Sequence, residues 1–254
     1  MLRSSAIVVP HCKHFFEDAD KAQPRARHES CTLRPKDDTA LSHRTMPAKN
    51  HDLHGSAPDA CEAALLLIDV INDLEFPEGA RLLKSATRAA RCISALKGRA
   101  RAAGIPVIYA NDNFGRWRSD FNEVVRHCLT EDVKGRRIAE LLAPDREDYF
   151  VLKPKHSAFF STVLETLLEY LKVKRLILTG FSGDACVLMT AADAYVRDFE
   201  IHVPQDCTAS ASQIENRKAL QYMARMFDAK TALSSKLDLQ KVAARPRQGR
   251  RPKR

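Results

Sequence analysis

The sequence predicts an α/β protein with a three-layer α/β/α sandwich and a mostly parallel sheet of about six strands. Two patterns, which alternate along the chain, support this prediction. From residue 63 onward, apolar runs of strand length alternate with segments in which apolar residues recur at helical spacing. Such an alternation requires crossover connections, which pair the strands in parallel and cover both faces of the sheet with helices.

The predicted strands are short and rich in aliphatic residues. They are residues 64–70, 106–110, 148–153, 174–181, 200–204 and 231–233. The predicted helices lie between them, over residues 82–103, 119–142, 162–172, 185–197 and 212–226. Right-handed crossovers between these elements give a Rossmann-like sheet.

One domain is predicted over residues 61–240, between two segments of different composition. Residues 1–60 hold six of the nine histidines and no hydrophobic period, which predicts a disordered N-terminal extension. Met46 precedes the regular pattern closely, so a translation start there is an alternative to Met1. Residues 241–254 carry seven basic residues and no acidic one, so most of the net charge of +9 belongs to a disordered basic tail. A solvated tail is favoured over contact with nucleic acid or an acidic surface.

The cysteine content indicates a reducing compartment. The seven cysteines are scattered, odd in number and without a CxxC pair, which favours free thiols over a disulfide framework. No run of about 18 apolar residues exists, and the N-terminus lacks the apolar segment of a signal peptide. We therefore expect a cytoplasmic protein without a membrane partner.

Polar side chains follow several of the predicted strands. They are Asp69, Asn111, Asp112, Lys153 and the segment 182–186. Because ligands of open parallel sheets bind outside the carboxyl ends of the strands, these side chains are the candidates for a site.

Three of these residues supply the parts of a nucleophilic hydrolase. Cys186 is predicted at the start of a helix, where free N–H groups and the helix dipole favour a thiolate, and the Lys153 ammonium would favour it further. The Asp69 carboxylate can accept the thiol proton and later activate water. From spacing alone the alternatives stay open, namely a small buried thiol, a capping carboxylate and a solvated lysine.

Three motifs resemble those of the isochorismatase-like cysteine hydrolases, the family that includes the nicotinamidases. They are the strand and Asn-Asp turn of residues 66–74, the Lys segment with Ser-Ala-Phe of residues 152–160, and the cysteine loop of residues 179–187. The likeness continues through residues 190–194 and 203–210 and covers roughly 63–235.

The resemblance implies Asp69 as the general base, Lys153 as its electrostatic partner and Cys186 as the nucleophile. Lys155 is the competing lysine, but Lys153 has the family's distance from Ser157. The resemblance also implies a cis peptide bond between Phe181 and Ser182. The backbone N–H groups of Ser182 and Cys186 would then form an oxyanion hole.

The sequence also departs from its metal-dependent relatives. Nicotinamidases carry an Asp-x-His metal motif after the second strand, whereas Phe114 stands where its histidine is expected. We therefore predict no metal and no cofactor, and we do not favour nicotinamide as substrate. The candidates for substrate binding are Asn111, Asp112, Trp117, Arg118, His156 and Phe159. Packing remains an equal alternative for Phe159, and a surface cap over a neighbouring subunit is an equal alternative for Trp117 and Arg118.

These observations together favour a cysteine hydrolase acting on a small carboxamide or related acyl C–N bond through a Cys thioester. A non-catalytic binding module with a basic tail and a vinyl-ether hydrolase of the isochorismatase type are the alternatives. The turn after the first strand has no glycine fingerprint, which excludes a dinucleotide-binding enzyme. The expected partners are a small-molecule substrate and further copies of the chain, because this family tends to form homo-oligomers.

Overall fold

The computed structural model describes residues 60–113 and 120–244, and these form a parallel sheet flanked by helices. The strands are β1 (Ala63–Ile68), β2 (Val107–Asp112), β3 (Tyr149–Lys153), β4 (Arg175–Phe181), β5 (Glu200–His202) and β6 (Thr208–Ala209). Their order is β3-β2-β1-β4-β5, and β6 pairs with β4 beyond the end of β5. The predicted fold class is confirmed.

The helices of the described residues are α1 (Gly79–Ala102), α2 (Phe121–Thr130), α3 (Arg136–Leu141), α4 (Leu164–Tyr170), α5 (Leu188–Tyr195), α6 (Gln213–Met226) and α7 (Leu239–Ala243). Side chains cap several of them, since Asp120 accepts from the N–H of Glu123 and Ser212 from that of Glu215. None of these helices has the length and apolar content needed to cross a membrane.

The alternating side chains of β1 fall into two separate apolar clusters, one on each face of the sheet. Leu65 and Leu67 pack in the cluster that contains the apolar face of α1, whereas Leu66 and Ile68 pack in the cluster that contains residues of α4, α5 and α6. All six residues of β1 are completely buried. Burial on both faces explains why this strand reads as a continuous apolar run.

The predicted strand at 231–233 is wrong. The sixth strand is instead β6, which pairs Gly180 with Thr208 and Phe181 with Ala209. Beside β5 only an isolated bridge joins His202 to Lys230, and Leu233 is 38% exposed. A two-residue strand is too short to show a period of two, so the sequence pattern could not reveal it.

Candidate active site

The carboxyl ends of the three neighbouring strands β1, β2 and β3 bring two acids and a lysine together. Asp69 directly follows β1, Asp112 ends β2 and Lys153 ends β3 beside it in register. Asp69 has a φ of 53°, a left-handed conformation that is uncommon for a residue other than glycine. The chain therefore turns sharply at the residue that carries the candidate base.

The buried ion pair between Asp69 and Lys153 is the centre of this site. The Lys153 Nζ lies 2.8 Å from Asp69 Oδ2, and the lysine is completely buried. The backbone N–H of Asp112 donates to Asp69 Oδ1 at 2.7 Å. The same ammonium donates to the carbonyl of Lys155 at 3.1 Å and lies 3.7 Å from Asp112 Oδ2. Both carboxylate oxygens of Asp69 are thus held in place.

Cys186 is adjacent to this ion pair. Its Sγ lies 3.7 Å from Lys153 Nζ on the inner side and 3.6 Å from His156 Nδ1 on the solvent side. The thiol is half-buried and His156 is exposed. The structure therefore brings together Asp69, Lys153 and Cys186, with His156 as a fourth neighbour at the mouth.

The local structure around Cys186 differs from the predicted helix start. Residues Gly183–Val187 form a π-helical turn, and the α-helix α5 begins only at Leu188. The sequence pattern placed the helix start at residue 185 because it cannot distinguish a wide turn from a regular one. Single π-helical turns of this kind are frequent at functional sites.

The electrostatics of the thiol also differ from the prediction. Burial and the charge of Asp69 raise the pKa of Cys186, and together they outweigh the nearby Lys153 ammonium and the Ser182 N–H, which lower it. Burial raises the pKa of Asp69 despite the opposing charge of Lys153. The Lys153 pKa is raised because the neighbouring charges, led by Asp69, outweigh its desolvation. These directions favour a neutral thiol beside the Asp69–Lys153 ion pair.

The loop that leads to Cys186 is held against β1 and β6. The peptide bond between Phe181 and Ser182 is cis, as the resemblance implies. Gly180 has a φ of +119°, and a Cβ there would lie 2.0 Å from the carbonyl oxygen of Ile68. Only glycine fits this position, because both the conformation and the space exclude a side chain.

Hydroxyl side chains that were not assigned a role from the sequence fix the cysteine segment. The Ser210 hydroxyl accepts from the N–H of Asp184 and donates to Asn216. The Thr190 hydroxyl donates to the carbonyl of Cys186 and accepts from the N–H of Ala158, which joins the lysine segment to the cysteine segment. The sequence could have indicated these residues only as polar side chains at buried positions. Thr190 and Ser210 are both buried, where a polar group needs a hydrogen-bond partner.

Two predicted substrate-binding residues have structural contacts. Asn111 is completely buried, and its carboxamide accepts from the N–H of Ile71 and donates to the carbonyl of the same residue. Phe159 packs 6.0 Å from the ring of Phe199, with the Arg197 guanidinium 4.8 Å from its centroid. The polar atoms of Asn111 are thus occupied by the backbone, and the ring of Phe159 packs in the core, as the packing alternative expects.

The remaining predicted residues divide into two groups. Asp112 and His156 lie beside the ion pair and the thiol, whereas the side chain of Lys155 is exposed and only its carbonyl takes part. Trp117 and Arg118 lie outside the described residues, as do residues 1–59 and 245–254 with most of the predicted extension and tail. Within the described part of the chain, no group of three or more His, Cys, Asp or Glu side chains is arranged to hold a metal ion.

Most of the described residues are similar in sequence to a known protein family. The Isochorismatase domain model matches residues 63–234. The uncharacterized isochorismatase family protein YaaI of Bacillus subtilis is 43% identical over 162 residues, which cover 64% of this chain and 88% of YaaI.

Two solved structures have the same fold over nearly their whole length. The N-carbamoylsarcosine amidase of Thermoplasma acidophilum is 25% identical, with a TM-score of 0.55 over 70% of this chain and 99% of the amidase. The nicotinamidase PncA of Bacillus subtilis is 26% identical, with a TM-score of 0.54 over 67% of this chain and 99% of PncA. The chain therefore belongs to the isochorismatase family of hydrolases.

Proposed function

We propose that this protein is a cysteine hydrolase that cleaves the C–N bond of a small carboxamide through a thioester on Cys186. One observation carries the proposal. The Cys186 sulfur lies 3.7 Å from a buried ammonium, which is itself 2.8 Å from the Asp69 carboxylate. A nucleophile, a base and a fixed positive charge are the groups that acyl transfer requires.

The chemistry begins with transfer of the thiol proton to Asp69. The sulfur then attacks the carbonyl carbon, and the N–H groups of Ser182 and Cys186 stabilise the oxyanion that forms. A backbone hydrogen bond from Ser182 lowers the pKa of the Cys186 thiol, which supports a Ser182 N–H group directed toward the sulfur. Ammonia or an amine leaves, and water releases the acid from the thioester.

The amidase and nicotinamidase neighbours support a C–N bond as the target, since both are named for amide hydrolysis. The retained cysteine supports acyl chemistry over the vinyl-ether cleavage of isochorismatase proper. Isochorismate belongs in the same substrate panel, because cleavage of it without any amide turnover would replace the carboxamide assignment.

The test is ammonia release from a panel of small primary amides by the wild-type protein, C186A and C186S. We expect turnover to fall about a thousandfold or more in both variants, because the removal of a nucleophile eliminates most of the rate enhancement. The melting temperature of each variant serves as the folding control. Undiminished turnover by a folded C186A would contradict the mechanism.

A second candidate is a non-catalytic binding module on the same fold. One observation favours it, namely that burial and the Asp69 charge raise the pKa of the Cys186 thiol. Under this alternative the wild-type protein would turn over none of the amides, and C186A would bind small amides as tightly as the wild type.

A further inference from the structure

The solvent-facing side of α1 carries a row of positive charge. Four exposed basic residues follow one another at helical spacing, and the helix contains no acidic residue; they are Arg81, Lys84, Arg88 and Arg91. Within the described part of the chain Arg81 pairs with Glu78, and no acidic side chain pairs with the other three. Because like charges three and four positions apart destabilise a helix, the row opposes folding until an anion binds beside it.

A polar cavity of about 250 Å³ lies beside this row, and Arg88 lines it. Ser85 lines it one turn earlier on α1, and the rest of the wall comes from the connection between β5 and α6 and from Gln213 and Asn216. At about 30 Å³ for each water in the liquid, this space corresponds to about eight waters. It suits a small metabolite, because sites for drug-sized ligands have about 300–1,000 Å³.

The lining determines the chemistry of the ligand. The Arg88 guanidinium can bind a phosphate through two parallel hydrogen bonds, and the carboxamides of Gln205 and Gln213 can both donate to and accept from hydroxyl groups. The carboxylate in the lining belongs to Asp206, whose two oxygens accept from the N–H and the hydroxyl of Ser234 at 2.8 and 2.7 Å. That carboxylate therefore has its own partner, and the guanidinium is left for the ligand.

We propose that this cavity is a second ligand site, which binds a small hydroxylated phosphate monoester. The phosphate, with about −1.5 to −2 charges near neutral pH, lies against Arg88 in the basic row. The hydroxyl groups lie against the glutamine carboxamides. The described lining contains none of Asp69, Lys153 and Cys186, so the inference goes beyond the proposed function and does not depend on it.

The cavity shares two residues with the support of the cysteine segment. The Ser210 hydroxyl accepts from the N–H of Asp184 at 3.1 Å and donates to Asn216 at 2.9 Å, and both Ser210 and Asn216 line the cavity. A bound ligand therefore contacts the side chains that hold this segment. Hydrogen exchange of the amides in residues 182–187 should slow when the ligand binds.

The test is a calorimetric titration of the full chain with glycerol phosphate, the terminal monoester, at constant ionic strength. Inorganic phosphate, glycerol and glycerate are the comparison probes, since each lacks one part of that molecule. We expect one site for glycerol phosphate, with an affinity at least about tenfold higher than for any of the three, because the guanidinium and the carboxamides are then engaged together.

Two variants on the exposed side of α1 locate the phosphate. R88Q should lower the affinity about tenfold or more, because it removes a charge-assisted hydrogen bond. R91Q is the matched control, since it removes the same charge one turn later on the same helix but from a residue outside the lining. Its affinity should change less than about threefold, because salt screens a charge without direct contact.

Hydrogen exchange locates the rest of the ligand. Glycerol phosphate should protect residues 205–216 and 182–187 in the wild type and in C186A, but not in R88Q. Equal losses of affinity in R88Q and R91Q would overturn the proposal, because they indicate a diffuse attraction of anions to the row. Absent binding of glycerol phosphate, or equally tight binding of inorganic phosphate or glycerate, would overturn it as well. Loss of binding in C186A would place the probe in the candidate active site instead.

Discussion

Neutralising Asp69 should affect the reactivity of Cys186 and the turnover of amides in opposite directions. In the variant D69N, we expect the thiol to react faster with iodoacetamide near neutral pH while amide hydrolysis is lost. The reason is that Asp69 both accepts the thiol proton and, through its negative charge, raises the pKa of that thiol. An asparagine removes the charge and the basicity but can still accept from the Asp112 N–H.

The size of the expected increase in the alkylation rate follows from the distances at the site. Lys153 Nζ lies 3.7 Å from the sulfur. At an effective dielectric constant of about 20 this ammonium would attract a thiolate by about 4 kcal/mol. In the wild type the Asp69 carboxylate, 2.8 Å from the same nitrogen, offsets this attraction. Since about 1.4 kcal/mol corresponds to a tenfold change, a third of the attraction suffices for a tenfold faster alkylation.

The assay measures the second-order rate of iodoacetamide alkylation, assigned to Cys186 by peptide mass, beside ammonia release from the amide panel. Amide turnover should fall about a hundredfold or more, as expected for loss of a general base. D112N is the matched control, because its carboxylate lies farther from the lysine, at 3.7 Å, and both activities should change less. Loss of a buried ionic partner costs about 3–5 kcal/mol, so the rates are compared at a temperature where D69N is folded.

Slower or unchanged alkylation in a folded D69N would refute the reasoning. Such a result would mean that the Asp69 charge does not control the protonation of the thiol, and that the lysine is neutral or points away once its partner is removed. General damage to the fold cannot imitate the expected result, because disruption of the site would not leave one activity faster and the other absent.

Three further predictions test the neighbouring features. K153M should lose amide turnover about a hundredfold or more, whereas K155Q should stay within about twofold of the wild type in the same assay, because only the first side chain lies against the thiol. G180A should lower the free energy of unfolding in urea by more than about 1 kcal/mol, since the φ of +119° and the adjacent β1 backbone exclude a Cβ. G98A is the matched control, because nothing lies within 4 Å of its added Cβ. This variant should raise the free energy of unfolding by about 0.5–1 kcal/mol. Burial lowers the pKa of His202 in the folded state, so the unfolded chain binds a proton first as the pH falls below about 6.5. The free energy of unfolding of the wild type in urea, measured relative to that of H202Q, should therefore decrease as the pH falls below that value. A difference that stays constant with pH would contradict the lowered pKa of His202.

The sequence allowed the order of the large elements and the place of the site to be predicted because both depend on patterns that extend over many residues. The continuous burial of β1 makes it an apolar run, and Asp69 ends that run with a change of polarity visible in the sequence. The topology of a parallel sheet then brings Asp69 and Lys153 to the same edge, although 84 positions separate them in the numbering.

Other features depend on contacts that no local pattern specifies. Asn111 has the position of a substrate-binding residue at a strand end, but its carboxamide is taken by the backbone of Ile71. The π-helical turn around Cys186 has the same residue types as a regular helix start. The two-residue β6 has no period at all. In each case the outcome is decided by a long-range hydrogen bond or by the exact width of a turn.

The raised pKa of Cys186 is compatible with its role as a nucleophile once the charge of the whole buried site is considered. At rest, the charges of Asp69 and Lys153 oppose each other, and the raised pKa of Cys186 favours a neutral thiol. Release of the thiol proton to solvent would leave a net negative charge in a buried place, which desolvation and Asp69 both oppose. Transfer of that proton to Asp69 leaves the net charge of the site unchanged, because the thiolate takes over as the partner of Lys153. Burial therefore suppresses a free thiolate while permitting the internal transfer. The thiol should become nucleophilic chiefly when a substrate carbonyl is present to receive the sulfur.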